Sequence, residues 1–163
     1  MSLMDAPVYD EGRARRNQVL LISSFSVIVL LIVLTVLGYI LGHGWLFSNL
    51  PTEHRVSEFY TALEHKDYAK AYGIYQNDPH WQEHPQEYAS YPLSRFTEDW
   101  TTYSPVNGPI TSHHVDVSRT DGSGPFGSGI IVASTVNGKK GIDVYVNRKD
   151  GTMTYPSPHV IEY

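Results

Sequence analysis

The polar and apolar positions of this chain fall into three stretches with different patterns. Residues 1–17 are mixed and polar, residues 18–47 are dominated by the uncharged run VLLISSFSVIVLLIVLTVLGYIL at 19–41, and from residue 48 onward the apolar positions become periodic. An uncharged run of that length, wound as a helix rising about 1.5 Å per residue, spans a bilayer core of about 30 Å. The pattern therefore predicts a transmembrane helix with its outer interface over 18–47, after an N-terminal arm over 1–17. Arg13, Arg15 and Arg16 precede the span and the next cation is Arg55. That asymmetry predicts a cytoplasmic N-terminus, a single pass through the cytoplasmic (inner) membrane, and an extracytoplasmic (periplasmic) domain over 48–163. A secretory signal has a shorter apolar stretch of roughly 7–15 residues and then a small-residue cleavage site. Here the chain continues Gly42-His43-Gly44-Trp45-Leu46-Phe47, which predicts an uncleaved anchor with Tyr39, Trp45 and Phe47 as an outer aromatic belt.

Beyond residue 50 the apolar period changes once, from helical to alternating, so helices come first and strands second, the order of an α+β domain. Val56, Phe59, Tyr60 and Leu63 fall at i, i+3, i+4 and i+7 and predict a helix beginning near Thr52, after Pro51. Asp67 reads as the N-cap of a short second helix carrying Tyr68, Ala71, Tyr72 and Tyr75. Residues 77–91, with Pro79 and Pro85, read as mostly loop, and a third helix is predicted from Pro92 through Leu93, Phe96 and Trp100. The remainder reads as a β-meander: strands at about 110–119, 130–136 and 141–147, and a last one near 153–155 or 160–163. Asn137-Gly138 sits between two of these strands, and such a dipeptide accepts positive φ at both central positions of a tight hairpin turn. Asp150-Gly151 repeats the device, while Pro156 and Pro158 are expected to interrupt the final strand or place it at an edge.

Charge and cysteine content narrow the partners. The first 50 residues balance three arginines against Asp5, Asp10 and Glu11, so the formal charge of −5 belongs to the following domain. Nucleic acid and anionic lipid headgroups are poor partners for that surface. The 163-residue chain has no Cys, so its core rather than disulfides must hold the domain, and 12 Tyr, 5 Phe and 3 Trp supply the material.

The run VSEFYTALEHKDYAKAYGIY over 56–75 resembles the opening of the nuclear transport factor two-like superfamily. The residues that carry the likeness are Phe59-Tyr60, Ala62-Leu63, Asp67-Tyr68 and Ala71-Tyr72, and RFTEDW at 95–100 is similar to that superfamily's third helix. The resemblance implies a cone of helices packed into a strongly curved antiparallel sheet over most of 51–163. A second resemblance, in plan and in Val136-Asn137-Gly138-Lys139-Lys140-Gly141, is to small single-pass cytochrome-oxidase assembly proteins. Neither resemblance transfers a catalytic residue.

Several stretches imitate chemical motifs. His80-Trp81-Gln82-Glu83-His84 satisfies the inverted zinc-protease pattern, with His113 or His114 as candidate third ligands. Pro79 and Pro85 leave room for barely one helical turn, so a solvated polar loop is the expectation and no metal site is assigned. Gly122 to Gly127 matches a dinucleotide fingerprint, but a strand rather than a helix follows, so a hairpin loop is expected and no cofactor is assigned. His113 and His114 point to opposite faces if they lie in a strand, predicting one half-buried and one exposed. Glu98-Asp99 reads as a solvated helix face. Gly38 and Gly42 have the small-xxx-small spacing that lets transmembrane helices pack closely.

No nucleophile, base and orienter can be assembled from the sequence, so no catalytic residue is assigned and the chain is expected not to be an enzyme. The leading expectation is a single-pass accessory or assembly subunit of a larger membrane complex, such as an electron-transport complex, partnered by other transmembrane subunits and the lipid bilayer. The alternative is a membrane-tethered module binding a small apolar ligand in a cone lined by Phe59, Tyr60, Leu63, Tyr72 and Trp100.

Overall fold

A computed structural model of the chain describes residues 10–122 and 127–159. The chain divides into two compact units, Met1–Leu37 and Gly38–Tyr163.

Helix α1 (Glu11–Ile40) makes up the described part of the first unit and ends in the second. It begins several residues before the apolar run because Asp10 caps it: the Asp10 carboxylate accepts from Arg13 N at 2.9 Å. Three of its hydroxyls are satisfied internally, with Ser23, Ser26 and Thr35 donating to carbonyls of Leu20, Ile22 and Leu31, which keeps those polar atoms compatible with hydrocarbon. None of its side chains is buried. Among the described residues it is the one helix long and apolar enough to cross a membrane, and it is compatible with a membrane anchor.

The second unit is α+β. It contains α2 (Asn49–Glu64), α3 (Tyr68–Gln76), two short 3₁₀ turns (Trp81–Glu83 and Pro85–Tyr88) and α4 (Leu93–Thr101), then strands β1 (His113–Thr120), β2 (Gly129–Val136), β3 (Lys139–Asn147) and β4 (Met153–Thr154). The four strands form an open antiparallel sheet in the order β1-β2-β3-β4. Helix α2 starts three residues before Thr52, because Pro51 is tolerated in a first turn whose N–H groups have no helical acceptors. It stops where Lys66 takes φ +59 and the N–H groups of Lys66 and Asp67 return to Leu63 and Ala62. Asp67 then caps α3, accepting from Lys70 N at 3.1 Å, as its position predicts. Pro92 is the residue before α4 rather than its first helical residue. The Asn137-Gly138 turn has φ +47 and +79, as its tight hairpin requires. Of the alternatives for the last strand, 153–155 holds as Met153–Thr154, while 160–163 and residues 123–126 of the glycine-rich loop lie outside the described residues.

Strand alternation sorts the sheet into two faces. Ile130, Val132, Val144, Val146 and Met153 pack against the helices, while Ile131, Ala133 and Tyr145 form a smaller cluster on the other side. The helix-side core is aromatic: Phe59 meets Trp100 at 4.9 Å, Tyr60 at 5.3 Å, Tyr75 at 5.8 Å and Phe96 at 6.2 Å between ring centroids. This corrects one expectation. Phe59, Tyr60, Leu63, Tyr72 and Trp100 do not line an open cone; each is at most 3% exposed, because the rings of α2, α3 and α4 fill the space the sheet leaves. Tyr60 Oη and Ser134 Oγ are buried there facing each other, with no other polar partner among the described residues. Burial also holds the Tyr60 phenol far above its ordinary pKa, so it stays neutral.

Candidate functional site at the α2–β1 seam

The segment after the apolar helix is hydrogen-bonded into the domain. Gly42 takes φ +86, His43 N returns to Gly38 O at 2.9 Å and Gly42 N to Tyr39 O at 3.2 Å, which is a helix-terminating Schellman turn. Gly42 therefore lies past the end of α1 rather than one turn along a packing face, a correction to the small-xxx-small reading. A Cβ on Gly42 would lie 2.9 Å from Val117 Cγ1, whereas one on Gly38 would meet only Gly44 O at 3.4 Å. Gly42→Ala is accordingly expected to destabilise the domain by about 1–2 kcal/mol, the usual cost of a left-handed conformation for a residue with a Cβ. Gly38→Ala should leave it unchanged. Thermal melts of the two variants check this, and equal melting temperatures would restore the packing motif.

From Gly42 onward the exit is tied to β1 and α2 by polar groups. Ser118 N donates to Gly42 O at 2.9 Å, and Ser118 Oγ donates to His43 O at 3.3 Å while accepting from Asn49 Nδ2 at 3.0 Å. Asn49 is fully buried, and its Oδ1 accepts from Ser48 Oγ. Gly44, at φ +58, leaves room for that amide: a Cβ there would overlap Asn49 Nδ2 at 2.2 Å. His43 Nδ1 lies 2.9 and 3.0 Å from the two carboxylate oxygens of Glu53, whose side chain is 10% exposed.

One turn and three turns beyond Glu53 along α2, at Ser57 and Glu64, a second arrangement appears that the sequence reading excluded. His113, on β1, places Nδ1 2.6 Å from Glu64 Oε1 and Nε2 2.8 Å from Ser57 Oγ. The carboxylate can only accept, so Nδ1 carries the ring proton, and in the neutral ring Nε2 is left as an acceptor to which the Ser57 hydroxyl donates. The Tyr60 ring stacks on the imidazole at 5.4 Å and 30°, and the His113 side chain is 12% exposed. A hydroxyl, an imidazole and a carboxylate are thus hydrogen-bonded in series, the order found in serine–histidine–carboxylate arrangements. Ser57 borders an open cleft of about 400 Å³ together with Leu50, Glu53, His54, His113 and His114.

The residues of the metal motif lie apart. His113 is engaged by Glu64 and Ser57, and His114, 79% exposed, points away as strand alternation predicts. His80 and His84 flank a 3₁₀ turn rather than an α-helical one, so they do not share a helix face. His80 pairs with Glu83 at 3.2 Å and His84 with Asp78 at 2.7 Å. No group of three or more His, Cys, Asp or Glu suited to a metal ion occurs among the described residues. Glu98 and Asp99 are not simply solvated: both pair with Arg95, and Asp99 accepts from Tyr91 Oη at 3.0 Å.

Asp78 instead anchors the loop. Its Oδ2 accepts from Tyr88 Oη and pairs with His84 Nε2, each at 2.7 Å. The Tyr88 hydrogen bond above all lowers the Asp78 carboxyl below its ordinary range, and the Asp78 contact pushes the Tyr88 phenol up to about 12. A lowered carboxyl contributes stability that is present above its unfolded pKa and lost as pH falls through the lower folded value. The raised phenol's contribution is lost only as pH climbs toward about 12. The loop over 77–91 is expected to loosen first on the acid side, below the usual carboxylate range. Amide exchange across it in the wild type and Asp78→Asn is the measurement; identical acid profiles would contradict the anchor.

A separate cleft of about 460 Å³ is lined by Arg55, Lys70, Gly73, Ile74 and Trp81 among others. Arg55 donates from Nη2 to Gly151 O and, at 3.4 Å, to Ile74 O. Its Nε is buried without an acceptor among the described residues, and burial lowers its pKa.

Sequence reasoning singled out His113 but not its partners. Ser57 and Glu64 lie seven positions apart on one face of α2 and are separated from His113 by 56 and 49 positions. Only their shared helical face was legible. Compared with known proteins, the chain matches no family model, no curated protein and no solved structure.

Proposed function

We propose that this chain is a single-pass membrane-anchored accessory or assembly subunit, its α+β domain presented as a docking body on the extracytoplasmic face of a larger membrane complex. The observation that carries the reading is the bonded exit. A freely roaming binding module is served by a flexible linker, whose composition leaves its backbone solvated. Here Gly42, His43 and Asn49 are held by Ser118, and His43 by Glu53, so the residues following the apolar helix belong to the folded domain. The filled aromatic core supports the same reading by removing the cone as a ligand site. The arginines before α1 favour a cytoplasmic N-terminus, and the acidic domain disfavours nucleic acid.

The test has two arms. A reporter active only outside the cytoplasm, fused after Tyr163, should be active. A photo-crosslinker at Val29, on the exposed surface of α1, should capture another membrane protein in intact cells. A cytoplasm-only reporter working at that junction would overturn the orientation, and lipid-only crosslinks from every face of α1 would overturn the subunit reading.

A tethered binding module is the second reading, and one observation favours it in a new place. The cleft at Arg55 combines the Arg55 guanidinium and Lys70, with Glu58 beside them, with the apolar surfaces of Ile74 and Trp81, a combination suited to a polar ligand with an anionic group rather than a purely apolar one.

A further inference from the structure

We propose that Ser57, His113 and Glu64 form an acyl-transfer relay in which Ser57 Oγ acts as a nucleophile toward small carboxylic esters entering the cleft beside α2 and β1. The inference is independent of the accessory-subunit reading. Three features of the geometry carry it. The hydroxyl, imidazole and carboxylate are in hydrogen-bond contact in the order the chemistry needs, at 2.8 and 2.6 Å. The carboxylate and the stacked Tyr60 ring fix the imidazole so that its free lone pair faces the hydroxyl. The hydroxyl opens on a cleft rather than on packed core.

In the reaction, Ser57 Oγ forms a bond to the ester carbonyl carbon as its proton passes to His113 Nε2. Glu64 stabilises the imidazolium. The carbon–oxygen bond to the alcohol breaks, the alcohol leaves with the proton from Nε2, and an acyl-serine remains. Water, giving its proton to the same nitrogen, then releases the carboxylic acid and regenerates the hydroxyl. Ser57 lies within α2, where backbone N–H groups are bonded along the helix, so α2 itself supplies no backbone oxyanion hole. His54, one turn before Ser57 on α2, lines the cleft and is the side chain placed to serve a developing oxyanion. Without backbone donors from α2, which contribute about 10²–10³-fold where present, turnover is expected to be slow and acylation easier to detect than hydrolysis.

The experiment exposes the full chain in detergent micelles to a fluorophosphonate probe, with p-nitrophenyl acetate as the ester. A phosphonyl adduct on Ser57, located by peptide mass, is expected, with fluoride displaced and no adduct at that position in Ser57→Ala. Labelling should slow at least about ten-fold in His113→Gln and in Glu64→Gln, since general-base assistance contributes about 10²–10⁴-fold. Circular dichroism confirms folding, and if His113→Gln unfolds, Glu64→Gln decides. Either no adduct on Ser57 or a rate equal in folded Glu64→Gln would overturn the relay and leave the three residues as a clasp between helix and sheet.

Discussion

Phe59→Ala should lower the stability of the domain by about 3–5 kcal/mol, the usual effect of removing a large buried ring. Phe59 is fully buried and touches Tyr60, Tyr75, Phe96 and Trp100, so its ring joins α2, α3 and α4. The surrounding rings are rigid and cannot collapse into the space, which places the expected loss at the upper end of the range. Domains are stable by only about 5–15 kcal/mol, so the variant should be partly unfolded at physiological temperature. Near-ultraviolet circular dichroism of the full chain in detergent follows the aromatic packing directly. A loss under about 1 kcal/mol would mean that the core is loose enough to absorb the cavity, and the apolar-ligand reading of the cone would revive.

Gly129→Ala should be almost as damaging, although Gly129 is at the edge of a strand and the change adds one methyl group. A Cβ there would lie 2.3 Å from Cε2 and Cζ of Tyr145, a ring that covers the glycine from the neighbouring strand. Tyr145 Oη is in turn bonded to Ser128 and Asp121, so the ring cannot swing aside without losing those contacts. Overpacking of this kind costs about 1–3 kcal/mol, and the lost hydrogen bonds add about 1 kcal/mol each. Gly129→Ala with Tyr145→Ala should recover part of the loss, because the double variant removes the collision. If the two losses simply add, the ring does not depend on the glycine.

The parts of this fold that were legible in the sequence are those decided within a few residues. The apolar run, the Val56-Phe59-Tyr60-Leu63 stripe, the Asp67 cap and the Asn137-Gly138 turn each carry their own cause. Two misreadings share another cause. The spacing of Gly38 and Gly42 is the same for a helix-packing face and for a helix stop, and only the positive φ at Gly42 separates them. Apolar residues at helical spacing equally describe a ligand cavity and a filled core, and total ring volume against available space decides between these. The α2–β1 seam was less legible still. Asn49 and Ser118 are 69 positions apart, and the partners of His113 come from a helix whose sequence shows only that Ser57 and Glu64 share a face. Such juxtapositions depend on how the sheet registers against α2, which no local pattern encodes.

The subunit reading is tested most directly by gentle solubilisation of native membranes and purification through a tag on the full chain. The account predicts that the chain emerges in stoichiometric association with other transmembrane subunits, in a particle much larger than its own 18.4 kDa. Recovery of the chain alone, together with no partner crosslinked in intact membranes, would contradict it and leave the tethered binding module as the better description.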